Sequence, residues 1–373
     1  MTGEHNDSMP PTDRVGEVNA KGHHVGALDG IRGIAIIAVM VFHFVIEIAP
    51  GGALGVDLFF ALSAFLITGM LLRERSRYGS VDLPAFYVRR AARLFPALAL
   101  FLVVIAPPIA VLLGHAQYIP TNTLAVALYV ADFGTAGYFP LVEPYGHTWS
   151  LAVEEQFYLI WPAVLLFVVP RRAKLVRLGI IMFIVGCVIA VAGTYVLGTG
   201  ANYFLPTGHL PALTVGVLAA FLGERKLDSV PWYASSSVAW TAMAGLALMF
   251  FSARASWPDL LQSLAPLPVL LLIGPLILHA ASGTPSVLNK VLAFGVLRWF
   301  GTRSYGLYLY HTAFYFAATT GILQLKRSYT AVVTVAVSLL VAELSFRYLE
   351  RPFTERGRAW SQARRQQTQL TTK

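Results

Sequence analysis

Residues 30–50 read GIRGIAIIAVMVFHFVIEIAP. The run is apolar enough to begin a membrane helix, yet Arg32 stands at one end and His43 and Glu47 lie among its aliphatics. A charge at the centre of a bilayer costs at least about 2.5–3.5 kcal/mol, so an ionisable residue there marks a functional site by default. From Arg32 to His43 is eleven positions, close to three helical turns, which sets both on one face about 16 Å apart along the axis. They line one path, with Arg32 at a cytoplasmic entrance and His43 past the midplane. Glu47, one turn further on, is a carboxylate for the second ring proton of the imidazole. The structural alternative is that Arg32 snorkels to the interface and His43 bonds a neighbouring helix.

The rest of the chain agrees with a membrane reading. Of its 373 residues 56% are hydrophobic and only 13% charged, against about 25% charged in a soluble domain. The formal net charge of +9 excludes little by itself. The basic residues, however, sit in short segments and not in a stripe with interleaved aromatics, which sets nucleic acid aside. The single cysteine, Cys187, lies in an apolar run, so neither a disulfide framework nor a Cys/His metal cluster is expected. Residues 1–28 are polar and lack the apolar core of a cleavable signal, so they read as a disordered tail.

Apolar runs near the length of about 20 residues that a spanning helix needs fall at about 31–49, 54–72, 94–114, 148–170, 176–197, 209–223, 236–252, 259–280, 300–321 and 328–349. The fold class is therefore all-α, a polytopic bundle of about ten transmembrane helices. With both termini cytoplasmic, 25 of the 28 Lys and Arg fall inside and only Arg254, Lys326 and Arg327 outside, as the positive-inside rule prefers. Counting 121–134 as a further span would separate RRAARL from RRAKLVR. It is read instead as an excursion, part of an outer segment 115–147, which dips into the membrane only where protein buries it. The organisation is then a tail (1–28), a transmembrane domain (29–353) and a basic cytoplasmic tail (354–373). No internal repeat is visible, which disfavours a carrier built from duplicated halves.

Six segments carry the chemistry: LDGIRGIAIIAVMVFH, GVDLFFALSAFLIT, FYVRRAARLFP, HTWSLAVEEQFYLIWP, TRSYGLYLYH and LSFRYLERPF. In order and spacing they closely resemble the acyltransferase-3 family of integral membrane O-acyltransferases, over about residues 26–353. The resemblance implies transfer of an acyl group, usually from acyl-coenzyme A, to a hydroxyl of a sugar, glycan, lipid or polyketide glycoside. It brings two signature pairs onto this chain, Arg32 with His43 and Arg90 with Arg93. Arg89, Arg90 and Arg93 are read in a cytoplasmic loop, where guanidinium forks match phosphate oxygens and hold the coenzyme A phosphates. The competing reading is an ordinary positive-inside loop.

Around HTWSLAVEE, helical spacing puts His147, Ser150 and Glu154 on one face, with Glu155 turned away by about 100°. Glu154 is thus the inward carboxylate and a partner within reach of His43, or else a structural partner for an intramembrane Arg or Tyr. Ser304, Tyr308 and His311 share a stripe at i, i+4 and i+7. Tyr308 and His311 line the acceptor cavity on this reading, although a core aromatic ladder is the commoner meaning of such a stripe. Two positions depart from the family pattern. His209 stands where arginine is common, which suggests a differently tuned acceptor pocket, and Ala64 stands where glycine is usual.

A thioester is already activated. The enzyme must deprotonate a hydroxyl, hold it about 3 Å from the carbonyl carbon and stabilise the oxyanion. His43 is the expected general base, with direct transfer set against an acyl-enzyme on Ser63 or Ser150. Only about 20 polar residues follow the last apolar run, so a self-contained enzyme of a bacterial inner membrane is expected. Its acceptor would be a sugar, a glycolipid or a macrolide-type glycoside. The rivals from other classes are a proton-coupled transporter, served by the same buried His, Glu and Arg, and a subunit that only binds acyl-coenzyme A or lipid.

Overall fold

The computed structural model describes residues 26–45, 49–167, 174–224, 231–252, 266–319 and 327–371. Glu47 and residues 1–25 of the expected tail lie outside the described residues. Every regular element among those described is a helix. The chain runs through α1 (Gly26–Phe44), α2 (Leu54–Tyr78) and α3 (Leu83–Leu112). Two short helices, α4 (Ile119–Ala127) and α5 (Ala131–Thr135), then lead to α6 (Gly146–Phe167). There follow α7 (Leu175–Leu197), α8 (Thr199–Phe204), α9 (Pro206–Gly223), α10 (Ser236–Ser252) and α11 (Pro266–Ser282). The last stretch holds α12 (Val287–Leu292), α13 (Gly295–Thr302), α14 (Ser304–Thr319) and α15 (Arg327–Ser345). A π-turn at Phe346–Glu350 carries α15 into α16 (Arg351–Thr371).

Among the described residues, seven helical stretches have the length and apolarity to cross a membrane: α1, α2, α3, α6, α7, α9 and the joined α15–α16. Of the other expected spans, the described residues hold the helices α10, α11 and α14. The 9 residues of α4 cover about 13.5 Å, well short of about 30 Å of hydrocarbon. The segment 121–134 is therefore broken into short helices and does not form a single span. On α7, Ile180, Ile184 and Val188 are exposed apolar side chains, as a lipid-facing helix requires.

Two expectations are corrected. The arginine run 89–93 is helical and not a loop. Gly79, at φ +77°, closes α2 with its N–H on the carbonyl of Arg75, a left-handed cap that glycine accommodates without strain. Asp82 then caps α3 by accepting from the N–H of Ala85 at 3.0 Å, with Pro84 in the first turn. Residues 354–371, expected as a separate tail, are helix α16 laid along α3. Ser361 donates to the carbonyl of Ala85 at 3.3 Å, and Arg364 pairs with Asp82 at 3.2 Å.

The packing sets where the site forms. A Cβ on Gly33 would stand 2.1 Å from the carbonyl oxygen of Leu297, and one on Gly301 1.8 Å from that of Asp29. Small residues thus let α1 and α13 meet backbone to backbone, and this fixes the N-terminal half of the helix that bears Arg32. The buried apolar residues form two main clusters. Trp149 and Val153 of α6 belong to one, Leu151 and Ala152 of the same helix to the other. Phe59 and Tyr308 pack against both, so the seam between the clusters passes Tyr308.

Candidate active site

Along that seam lies a narrow polar chamber of about 70 Å³, lined by Arg32, Arg90, Arg93, Ser150, Glu154 and Tyr308 among others. A larger chamber of about 760 Å³ adjoins it. Arg32, Ser63, Arg90, Arg93 and Tyr158 line both, so the two adjoin, with Arg90 and Tyr158 at the pinch between them. Among the described residues, eight arginines and two glutamates line the larger one.

The pinch is built from three helices. Arg90, on α3, forks its Nε (3.1 Å) and Nη2 (2.7 Å) onto Oε1 of Glu155 on α6. Its guanidinium lies 3.1 Å from the ring centroid of Tyr158 and 3.8 Å from Glu154. Glu154 in turn accepts from Ser63 of α2 at 2.5 Å and from Tyr158. A fixed guanidinium met by two carboxylates and an aromatic face is a desolvated pair held by geometry. Glu155 does turn away from the His147 face, but toward α3 and not toward lipid. Sequence reading missed Tyr158, set Glu155 aside as turned away and weighed Ser63 only as a nucleophile. The signal available was the Glu154–Tyr158 spacing of one helical turn next to a second carboxylate.

The faces of α6 and α14 meet. Tyr308 donates to the carbonyl of His147 at 2.8 Å, and its hydroxyl lies 2.5 Å from Ser150 Oγ. His147 is buried; its Nε2–H donates to the carbonyl of Leu309 at 3.1 Å and its Nδ1 accepts from Thr312 at 2.8 Å. The Nδ1–H of His311 is taken by the carbonyl of Tyr308 at 2.8 Å, which leaves its Nε2 as an acceptor facing His43. The Nδ1 of His43 lies 2.9 Å from the carbonyl of Val39 and 3.4 Å from His311 Nε2. These partners place the proton of His43 on Nδ1 and leave Nε2 with the lone pair, the state a general base needs.

The chamber lining takes in Arg32, Arg90, Arg93, Ser150, Glu154 and Tyr308, and Arg89 lines the larger chamber only. His43, His147 and His311 form a chain of rings behind Tyr308, with His43–His311 centroids 4.9 Å apart and His147–His311 centroids 5.7 Å apart. The expected contact between His43 and Glu154 is not formed: the bonds of Glu154 go to Ser63 and Tyr158, and His43 meets another imidazole. His209 is also elsewhere. Its Nδ1 lies 2.8 Å from Asp57, its Nε2 2.7 Å from the carbonyl of Tyr203, and its ring stacks on Trp149. With both nitrogens occupied it braces α9 against α2 and lines neither chamber. No group of three or more His, Cys, Asp or Glu suited to a metal occurs among the described residues.

Beyond these two chambers, the segment between α3 and α6 carries a buried carboxyl of its own. Glu143, before α6, is pushed up to about 7 by burial, with the N–H of Gly146 and nearby His115 acting in the opposite sense.

Comparison with known proteins agrees with the motifs. Over 353 residues the chain is 34% identical to a peptidoglycan O-acetyltransferase, OatA, of Listeria monocytogenes, covering 90% of this chain and 56% of that protein. It is 28% identical over 357 residues to the O-acetyltransferase OatA of Staphylococcus aureus, covering 90% of this chain and 58% of that one. The chain thus spans a little over half the length of these curated relatives. No solved structure matches it. The profile of the acyltransferase domain, in the acyltransferase-3 family, matches residues 25–345, and the chain belongs to that family.

Proposed function

We propose that this chain is a multi-pass membrane O-acyltransferase that moves a short acyl group, acetyl foremost, from acyl-coenzyme A to a hydroxyl of a carbohydrate-bearing acceptor. The supporting observation is the arginine-lined vestibule adjoining, at Arg90 and Tyr158, a smaller cavity lined by Ser150 and Tyr308, with the histidine rings packed behind Tyr308. Guanidinium groups suit the donor's phosphates. The narrower chamber suits the thioester arm. In this reading the Nε2 of His43 takes the acceptor proton, directly or through one water, while His311 orients the ring. Arg32, Ser150 and Tyr308 are within the chamber to polarise the thioester carbonyl. In a direct transfer the acceptor oxygen bonds the acyl carbon, the C–S bond breaks, and the proton taken by His43 passes to the leaving coenzyme A thiolate.

The arrangement fits ten spans with both termini cytoplasmic, in the inner membrane of a bacterium, because that puts the vestibule on the basic side. The relative named as a peptidoglycan O-acetyltransferase adds glycan strands to the sugar, glycolipid and macrolide-type acceptors compatible with such a chamber. Incubation of the purified chain with acetyl-coenzyme A and a panel of these acceptors, read by mass spectrometry and by free thiol, is the test. Release of coenzyme A with one acetyl group gained by an acceptor is expected; no acceptor-dependent thiol release would overturn the proposal. Arg89→Ala and Arg93→Ala should raise the KM for acetyl-coenzyme A far more than that for the acceptor.

A further inference from the structure

The vestibule is closed on one side by α16, all of which lies beyond residue 345, where the family match ends. Thr354, Arg358, Ser361 and Arg365 all line the larger chamber. Their spacing of four, three and four is one stripe of a helix. The other arginines of α16 face elsewhere: Arg351 pairs with Glu355, Arg356 lies over Phe353, and Arg364 pairs with Asp82. A basic tail that merely obeyed membrane topology would have no reason to sort its arginines this way. Arg365 also reaches across to Glu74, its Nη2 2.6 Å from Oε1, while Arg89 of α3 lies 3.6 Å from Oε2 of the same carboxylate. Glu74 is thus an oxyanion held between guanidiniums from two helices. A guanidinium has five N–H donors, so one carboxylate shared by two of them leaves capacity for more oxyanion oxygens.

We infer that α16 forms the second half of the donor site, with Arg358 and Arg365 binding phosphate groups at the nucleotide end of the coenzyme A thioester opposite Arg89 and Arg93. This rests on the proposal that the vestibule admits that donor. The chamber, at about 760 Å³, lies toward the upper end of the roughly 300–1,000 Å³ usual for a small-ligand pocket, room for the nucleotide end of the donor. A phospholipid headgroup offers the same chemistry from another source, and the test separates the two.

The test is equilibrium binding of coenzyme A and of phosphate-free pantetheine to the full chain in phosphatidylcholine nanodiscs. It compares wild type with Arg358→Ala, the Arg358→Ala/Arg365→Ala double variant and Arg356→Ala. The first variant leaves the Arg365–Glu74 pair intact and guards against misfolding. Coenzyme A affinity is expected to fall about tenfold for Arg358→Ala and further for the double variant. Pantetheine binding should hold and Arg356→Ala should match wild type. Unchanged coenzyme A affinity in the folded variants overturns the inference, as does an equal loss of pantetheine, which would signal collapse of the chamber. Coenzyme A affinity unaltered alongside lost retention of phosphatidylglycerol would assign the stripe to lipid. Absence of coenzyme A binding in wild type would instead remove the donor reading itself and this site with it.

Discussion

The imidazoles of His43 and His311 meet edge to face, with Nε2 of His311 3.4 Å from Nδ1 of His43 and the ring centroids 4.9 Å apart. An imidazole occupies the position beside His43 that a carboxylate fills in many acid–base pairs. Unlike a carboxylate, it can orient the ring without placing another fixed negative charge in the seam. His147 continues the chain behind it.

His43→Ala should lower acetyl transfer by about 10²–10⁴, the usual contribution of a general base, and leave the unfolding midpoint near wild type. His311→Gln, which misaligns the ring without removing it, should cost about 10²-fold. Single-turnover acetyl transfer measures both. His43→Ala with more than about a third of wild-type turnover would remove this residue from the reaction.

The Arg90–Glu155 fork predicts a stability effect distinct from any donor effect. Removing one partner of a buried pair costs about 3–5 kcal/mol because the other is left buried and uncompensated. Glu155→Gln should therefore lower the thermal midpoint in detergent sharply. Arg90→Met combined with Glu155→Leu should lose much less than the two single changes together. Additive losses would mean that the two groups are not coupled.

Glu143 makes stability depend on pH. Its carboxyl titrates near 7 in the native state and near 4.5 in the unfolded chain, so between these values the native state holds the extra proton. Its contribution is complete below pH 4.5 and lost as pH rises through 7, up to about 3 kcal/mol at pH 8. Glu143→Gln should raise the unfolding midpoint at pH 8 relative to wild type and change it little at pH 4.5. A gap of the same size at both values would show that this carboxyl does not titrate differently on folding.

Topology is open to direct labelling in a Cys187→Ser background. Ser80, Thr121, Lys174 and Gln366 are all exposed side chains. Cysteine at Ser80, Lys174 or Gln366 should resist a membrane-impermeant thiol reagent in intact cells, whereas cysteine at Thr121 should react. Labelling at Lys174 from outside would reverse α6 and carry Glu154 into the inner half.

The all-helical membrane class was legible in the sequence because it follows from local composition: apolar runs near 20 residues can satisfy their backbone in lipid only as helices. Helical spacing likewise sufficed for the shared stripes of His147, Ser150 and Glu154 and of Ser304, Tyr308 and His311. Spacing says which residues share a face and nothing about what that face meets. Tertiary structure therefore decided that Glu155 turns to Arg90, that Glu154 goes to Ser63 and Tyr158, and that His43 is met by His311. His209 invited a pocket role by its identity alone. Only the packing of α9 on α2 showed both its nitrogens consumed by Asp57 and Tyr203. The polar composition after residue 353 reads as a tail, since propensity within one segment cannot report a surface supplied by another. The groove along α3, where Gly357 stands against Ala92 and Ser361 reaches Ala85, is what makes that segment a wall of the vestibule.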